Sequence, residues 1–296
     1  MPIAAIAVAI FINALWGGNP IAVKIGLEAF PPFYSAFLRF SIGAICVALW
    51  AFATGVRLWP DRSEWRAHVL LSLLFGIQIA TMNIGIDMGS GAVSAVLISM
   101  YPLFAAVLSH LFGPGGRLTL LRSAGLAVAF GGAVAIVVRT DQSLVGLSVG
   151  LGELIVLVSA ALLGGRLVFS ANLLRRMDTA RVVFWQMLIA LPAFGAIGAA
   201  RETIVWDRLG PEVVLGLLYQ GVVIAGFGFV VNAALYRRYD PGVIAGFGFV
   251  GPVSGVLLGI TLLGDPLTVN LVIGTAAVGC GLVLVTLRRG ARPGTR

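Results

Sequence analysis

Apolar runs of roughly the length of a membrane-crossing helix follow one another through almost the whole chain, separated by short polar, proline- or glycine-containing connections. Each run approaches the roughly 20 residues that a helix needs to cross about 30 Å of hydrocarbon. The predicted spans are residues 2–25, 32–53, 67–88, 92–112, 118–138, 147–173, 182–200, 213–236, 242–263 and 267–287. No basic segment precedes the first run, which we interpret as a retained span and not as a signal peptide. The pattern predicts an all-α integral membrane protein with ten transmembrane helices.

The composition agrees with this prediction and limits the possible functions. Hydrophobic residues make up 59% of the 296 residues and charged residues only 11%, whereas about a quarter of the residues in a soluble domain are charged. The spans leave no room for a separate soluble domain of about a hundred residues. Function is therefore expected inside the helical bundle, with the lipid bilayer and a small-molecule substrate as the partners.

The basic residues are distributed unevenly between the two sets of alternate loops. If the N-terminus is cytoplasmic, fourteen of the twenty Lys and Arg residues lie on that side, four lie on the other, and Arg39 and Arg166 lie within spans. The positive-inside rule then places both termini in the cytoplasm, and we expect a multi-pass protein of the inner (plasma) membrane. Since the charge is spread over separate loops, the net charge of +8 does not indicate a nucleic-acid partner.

The second half of the chain repeats features of the first half. Asn83 matches Asn232 and Pro102 matches Pro252 at spacings of 149 to 150 residues, and a fainter match joins Gly17-Gly18 to Gly164-Gly165. Five crossings per copy force the second copy to be inverted in the membrane. We therefore predict two inverted five-helix repeats, residues 1–143 and 144–296, within one membrane domain. This arrangement is typical of secondary transporters.

Several motifs suggest a family. They are Leu15-Trp16-Gly17-Gly18-Asn19-Pro20 with Lys24 in the first span, Pro32 and Arg39 in the second, and the spans that contain Pro102 and Pro252. With these motifs the whole chain resembles the drug/metabolite transporter superfamily and its ten-span EamA-type exporters. The resemblance implies efflux of small metabolites, with bacterial amino acid exporters among the relatives, through a cavity formed by spans one, three, four, six, eight and nine. Gly115-Gly116 and Gly264-Asp265 replace a Gly-Glu pair that family members often have.

One face of the first span is a candidate cavity wall. Asn13, Trp16, Pro20 and Lys24 share it at helical spacing, and the proline frees a backbone carbonyl that could accept from a substrate ammonium group. The alternatives are an interhelical hydrogen bond for Asn13 and a Lys24 that reaches the interface and pairs with Glu28.

Further cavity candidates lie on the other spans. They are Gln78 and Met82 in the third span, Ser94 and Tyr101 in the fourth, Arg166 in the sixth, and Phe227 and Phe247 in two copies of a phenylalanine- and glycine-rich segment in the eighth and ninth. An aromatic side chain beside small residues is as often plain packing. Arg166 has no evident acidic partner, and it either accepts a substrate carboxylate or extends toward the inner interface.

A second set of residues is assigned to gating or structure. Arg39 and Glu153 fall in the outer thirds of their spans, where an ion pair between them would lower the cost of burying each charge. Asn83 and Asn232 are predicted at opposite gates because the repeats are inverted, and Pro102 and Pro252 belong to the same set. The glycines of the ninth span favour close helix approach, with flexing at Pro252 as the alternative. Lys24 is the remaining member of this set.

An intramembrane enzyme is the main rival class. It would need metal ligands, or a nucleophile and a base, at one depth. His68 and His110 lie at span ends, Cys46 and Cys280 lie singly within spans, and we predict no catalytic residue, metal or cofactor. Few charges lie in the spans, which favours a zwitterionic or weakly polar substrate. Export of drugs or other metabolites and passive flux through a channel stay open. A monomer is expected, with a dimer as the alternative.

Overall fold

The computed structural model describes residues 2–112, 119–140, 147–174, 177–228 and 247–286, together with residues 231, 235 and 239. In these ranges seven helical segments are long and apolar enough to cross a membrane, and three shorter apolar helices accompany them. The all-α membrane fold with ten spans is thereby confirmed. The predicted division at residue 143 stays a prediction.

Helix boundaries agree with the sequence pattern to within a few residues. The α-helices are α1 Ile3–Gly26, α2 Pro32–Thr54, α3 Trp65–Met88, α4 Gly91–Ile98, α5 Tyr101–Phe112, α6 Leu120–Val137, α7 Leu151–Leu174, α8 Thr179–Arg201, α9 Pro211–Leu218, α10 Val250–Leu263 and α11 Val269–Thr286. A π-helix, Tyr219–Gly228, continues α9, and 3-10 turns cover Trp206–Arg208 and Phe247–Phe249. Apolar side chains in these runs face either lipid or neighbouring helices, which is why length and hydropathy located the spans.

Two proline-containing spans depart from a regular α-helix near their prolines. The fourth span breaks at Ser99 and Met100 between α4 and α5, and Pro102 is the second residue of α5. In the ninth span a 3-10 turn precedes α10, and Pro252 is the third residue of that helix. Proline lacks an N–H and disfavours helix in the residue before it, so it is tolerated in a first turn. The fourth span therefore consists of two helical segments, whereas the described part of the ninth span is a 3-10 turn that leads directly into α10.

Two elements were not predicted. Residues 138–140 and 147–149 form a two-stranded antiparallel ribbon, β1 and β2, in which Val138 pairs with Val149. The sixth span consequently begins at Leu151, four residues after its predicted start. The second element is the π-helix in the eighth span, and the last eight predicted residues of that span, 229–236, lie outside the described residues except for 231 and 235.

Glycines bring pairs of helices close together. A Cβ at Gly152 on α7 would lie 2.8 Å from the Gly85 carbonyl oxygen on α3, and one at Gly132 on α6 would lie 2.8 Å from the Gly274 oxygen on α11. Such distances are shorter than van der Waals contact, so no larger residue fits without moving a helix. Small residues let membrane helices approach closely and gain packing energy.

The two ends of the bundle are distinguished by where α1 begins, here called the N-face, and where α1 ends, called the far face. At the N-face, Arg181 forms an ion pair with Glu64 over 2.9 Å, beside the packed rings of Trp59, Trp65 and Trp185. Indole rings favour the interface between lipid and water. The N-face is thus rich in tryptophan and in paired charge.

Candidate functional site

Helix starts at the far face are capped by acidic side chains from other spans. Asp265 Oδ2 accepts from the Ala92 amide at the start of α4 over 2.8 Å. Glu202, which follows α8, accepts from the Phe33 and Tyr34 amides at the start of α2 over 2.9 Å each. The first N–H groups of a helix have no partner within it and attract negative charge. These bonds tie together the far ends of spans that are distant in sequence.

Burial decreases from the far face toward the N-face along the fourth span. In α4, Gly91, Ala92 and residues 94–97 are buried, whereas among residues 101–111 of α5 only Leu103 is buried. On α10, a Cβ at Gly259 would lie 2.7 Å from Ala92 Cβ, so α10 and α4 pack without a gap near the far face. The bundle is therefore packed more tightly at the far face than at the N-face.

The candidate residues of the first span have different environments along α1. Asn13 is half-buried, and its Nδ2 donates to the Ala9 carbonyl one turn earlier over 2.8 Å. Trp16 is half-buried beside the π-helix, where a Cβ at Gly228 would lie 3.0 Å from its Nε1. Pro20 is buried within α1, which continues to Gly26. The described hydrogen bond of Asn13 thus lies within its own helix.

Lys24 fixes the end of α1 to the end of α3. Its Nζ donates to the Ile86 carbonyl over 3.0 Å and to the Asp87 carbonyl over 2.7 Å. The last carbonyls of a helix have no partner within it and carry partial negative charge. The alternative of a Lys24–Glu28 ion pair is wrong, and Glu28 is exposed.

Gln78 and Met82 do not have the surroundings predicted for cavity residues. Gln78 Nε2 donates to Ser159 Oγ over 3.0 Å, and Ser159 Oγ donates to the Gln78 carbonyl over 2.9 Å. Both side chains are buried, and Met82 packs in the main hydrophobic core at 4% exposure. The Gln78 side chain therefore joins α3 to α7, because a buried amide is stabilised by a hydrogen-bond partner on the neighbouring helix.

The two candidates of the fourth span separate at the helix break. Ser94 lies in α4, fully buried, with no hydrogen-bond partner for its Oγ among the described residues. Tyr101 begins α5, where its ring is half-buried and its carbonyl lies 2.6 Å from where a Cβ would stand at Gly164. Ser94 is thus enclosed near the far face, whereas Tyr101 keeps accessible surface nearer the N-face.

Arg166 is a charged residue within α7, in the half of the bundle nearer the N-face. Its Nη1 donates to Gln186 Oε1 on α8 over 2.9 Å, and its guanidinium carbon lies 5.1 Å from the centre of the Phe75 ring on α3. Arg166 remains partly accessible although its Nε is buried without a partner. It lies eight residues before the end of α7, about 12 Å in from that end. A cation held by a neutral amide and a ring, with no carboxylate, can bind an anionic group.

The predicted ion pair between Arg39 and Glu153 is wrong, because no ion pair joins these two described side chains. Arg39 is 4% exposed, its Nε and Nη1 have no hydrogen-bond partner, and its guanidinium carbon lies 4.6 Å from the Phe40 ring centre. Glu153 is buried beside Gly150 at the start of α7. The helices α2 and α7 place the two charges in different parts of the bundle, which linear depth alone could not reveal.

The remaining candidates are a polar residue at the far face and two phenylalanines. Asn83 is fully buried, and its Nδ2 donates to the Pro32 carbonyl over 2.8 Å, which connects α3 to the start of α2. Its predicted counterpart Asn232 lies outside the described residues. Phe227 is 53% exposed on the π-helix, whereas Phe247 packs against a small cluster that includes Ala9. The two phenylalanines therefore have unlike surroundings.

Four polar residues of these contacts were not among the sequence-based candidates, namely Gln186, Ser159, Glu202 and Asp265. Gln186 and Ser159 are polar side chains within apolar spans, the same signal that selected Gln78, so the sequence offered a means to find them. The carboxylates of Glu202 and Asp265 lie just beyond helix ends in sequence and cap other helices, which no local pattern indicates.

A bundle of apolar spans with interrupted helices and a partly accessible intramembrane cation defines the class of membrane transporters. Comparison with known families identifies the class more narrowly. The EamA-like transporter family matches twice, over residues 3–138 and 150–287. The chain belongs to this family, as the motifs predicted.

Relatives match over nearly the full chain. The uncharacterized transporter YoaV of Bacillus subtilis is 26% identical over 94% of this chain and 94% of its own. The uncharacterized inner membrane transporter YedA of Escherichia coli K12 is 27% identical over 92% of this chain and 87% of its own. A Salmonella typhimurium protein named a probable amino-acid metabolite efflux pump is 26% identical over 96% of both chains.

A solved crystal structure has the same fold. It aligns with a TM-score of 0.68 over 95% of this chain and 96% of its own, at 20% sequence identity. At that identity the likeness concerns the fold alone. The family match and the names of the relatives define a multi-pass membrane transporter.

Proposed function

We propose that the protein exports small zwitterionic metabolites, amino acids above all, from the cytoplasm by alternating access through a central cavity. The observation that supports this most is Arg166, a partly exposed residue whose guanidinium is held by Gln186 and Phe75 without a carboxylate. A buried cation in a membrane is costly unless an anion joins it. A substrate carboxylate would supply that anion.

Three further candidate residues suit a small amphipathic molecule. Trp16, Tyr101 and Asn13 are half-buried on the N-face side of the tightly packed region. Indole and phenol rings combine an apolar surface with a hydrogen-bonding group. We assign these residues to the walls of a cavity open toward the N-face, with the contacts of Lys24 and Asp265 at the far face as the closed gate.

The orientation that we propose is compatible with export. Most of the basic residues lie in loops that the sequence predicts on the same side as the N-terminus, so the positive-inside rule favours a cytoplasmic N-face. A bundle closed at the far face is then in the state that takes up substrate from the cytoplasm. The relative named as a probable amino-acid metabolite efflux pump supports the same substrate class and direction.

Transport by purified protein in liposomes tests the proposal. Each amino acid is compared with its carboxamide, which keeps the size but lacks the negative charge. We expect saturable transport of acids, and we expect Arg166→Gln to raise the KM for acids about ten- to a hundredfold, since a hydrogen bond between charged groups contributes about 1.5–3 kcal/mol. Arg62→Gln, at an exposed arginine of the N-face, removes the same charge outside the bundle and should leave the KM unchanged.

Two outcomes would contradict the proposal. Equal transport of acid and carboxamide by wild-type protein would favour a carrier of uncharged compounds such as drugs. Flux that does not saturate would favour a channel. An unchanged KM in folded Arg166→Gln would remove this residue from the site.

A further inference from the structure

Each half of the chain contains one arginine and one amide at matching positions. Helices α2 and α8 both have 23 residues and begin at Pro32 and Thr179, and the two family matches begin at residues 3 and 150. Both comparisons give an offset of 147 residues. At this offset Arg39 corresponds to Gln186, and Asn19 corresponds to Arg166. The halves therefore have the same pair of side-chain types, with the arginine on the second helix of one half and the first helix of the other.

The two pairs differ in their hydrogen bonding. In the second half, Arg166 Nη1 donates to Gln186 Oε1 over 2.9 Å. In the first half, Arg39 Nε and Nη1 have no partner, and neither does the buried Oδ1 of Asn19. Leaving buried polar groups unpaired costs on the order of 1–3 kcal/mol each. In the first half, therefore, the arginine has unpaired donors and the asparagine has an unpaired acceptor. The corresponding arginine and glutamine of the second half are hydrogen-bonded to each other.

Two phenylalanines separate the guanidinium groups. Arg39 lies 4.6 Å from the centre of the Phe40 ring, Arg166 lies 5.1 Å from that of Phe75, and the two rings pack edge to face at 4.7 Å. Both rings are 1% exposed. Arg39 is seven residues from the far end of α2, about 10 Å in, and Arg166 is about 12 Å in from the N-face. Each guanidinium therefore contacts one ring of the packed pair, Arg39 from the far-face side and Arg166 from the N-face side.

Neither guanidinium is neutralised by protein in this state. The described ion pairs join Arg57 to Asp61 and Arg181 to Glu64, all four at the N-face. Arg39 is almost completely enclosed, whereas Arg166 keeps accessible surface. In inverted-repeat transporters the two halves are built alike and exchange environments as access alternates.

We propose that Arg39 and Asn19 form a second carboxylate site, the inverted counterpart of Arg166 and Gln186, which binds the substrate when the cavity opens at the far face. In that state Arg39 donates to Asn19 Oδ1 as Arg166 now donates to Gln186, and the rest of the Arg39 guanidinium binds the substrate carboxylate. The Phe40–Phe75 pair divides the two sites. This inference rests on the proposed function and extends it to the opposite face.

Kinetics measured separately at the two faces test the inference. The protein is reconstituted in liposomes with known orientation, and KM and maximal rate are measured for a transported amino acid supplied at either face. We expect Arg39→Gln to raise the far-face KM tenfold or more with a much smaller change at the N-face, and Arg166→Gln to show the reverse. Arg39→Lys, which keeps the charge, should recover much of the far-face affinity.

Asn19→Ala provides a second variant in case loss of Arg39 impairs folding. It keeps both arginines and should raise the far-face KM several-fold. Equal KM changes at both faces, or none, in folded Asn19→Ala and Arg39→Gln would overturn the inference. An inorganic anion is the other source of negative charge, and replacing chloride by gluconate distinguishes it. A far-face KM that depends on chloride only when Arg39 is present would mean that chloride occupies the site, against the inference.

The result also separates this inference from the proposed function. If Arg166→Gln alters the KM at the N-face and Arg39→Gln leaves the far-face KM unchanged, only the second site is refuted. If wild-type protein does not distinguish acids from carboxamides at either face, the proposed function itself is refuted.

Discussion

Replacing Gly17 by alanine should separate α1 from α10. The added Cβ would overlap the Gly251 carbonyl oxygen and Ser254 Oγ. A serine side chain can rotate away, but a helix carbonyl cannot, so the helices themselves must move apart. Ser254 Oγ also donates to the Ala14 carbonyl over 3.1 Å across the same contact, and this bond would lengthen as the helices separate.

Three contributions set the magnitude of the loss. Overpacking costs about 1–3 kcal/mol, and weakening an interhelical hydrogen bond in a membrane protein costs about 0.6 kcal/mol. Alanine offers up to about 1 kcal/mol of helix propensity in return. The net loss is about 1–3 kcal/mol, so the overlap outweighs the gain in propensity. A loss of this size lowers the melting temperature by roughly 2–5 °C.

Thermal unfolding of the purified protein in detergent measures the effect. Gly131→Ala on α6 is the matched control, because an added Cβ there meets no atom within 4 Å. It reports the change in propensity without the overlap. If Gly17→Ala melts at the same temperature as Gly131→Ala, the close contact of α1 with α10 and the reasoning from it are wrong.

Two further predictions concern polar contacts at the two ends of the bundle. Asp265→Ala removes the acceptor for the Ala92 amide and should lower the free energy of unfolding by about 1 kcal/mol. Asp265→Asn keeps an acceptor and should lower it less. If both variants melt at the temperature of the wild type, the cap is contradicted. At Glu64, burial raises the pKa of the carboxyl, but hydrogen bonds from the Asp61 amide and Arg181 and the Arg181 charge outweigh it and lower the pKa. A lowered folded-state pKa adds stability above the unfolded-state pKa and loses it as the pH falls through the folded value. Wild type should therefore melt above Glu64→Gln at neutral pH and lose that advantage in acid, and a constant difference would refute the pairing.

The sequence predicted the spans because lipid imposes a local rule. A segment in hydrocarbon must satisfy its own backbone, so length and hydropathy alone locate the helices. Proline was a weaker guide, since the fourth span breaks next to Pro102 whereas α1 continues through Pro20. Arg166 was found as a candidate because an arginine inside a span is rare enough to be noticed.

The partners of these residues could not be found in the same way. Gln78 was expected in a cavity and instead bonds to Ser159 on α7, and Arg39 was expected to pair with Glu153 and instead lies against Phe40. In both cases the sequence indicated a polar or charged side chain inside a span. It did not indicate which helix would be its neighbour, because many pairs of spans are compatible with the same hydropathy.

The sequence by itself therefore determined the membrane-spanning fold, the positions of its helices and the rare intramembrane charges, since each depends on local burial in lipid. Only the tertiary structure decided which helices touch, through glycines such as Gly17 and Gly85, and thereby which polar group faces which. It placed Arg166 within reach of Gln186 and left Arg39 without a partner. Hydrogen bonds and charge pairing act over a few ångströms between helices that are far apart in sequence, so helix packing had to be known before either arginine could be assigned a role.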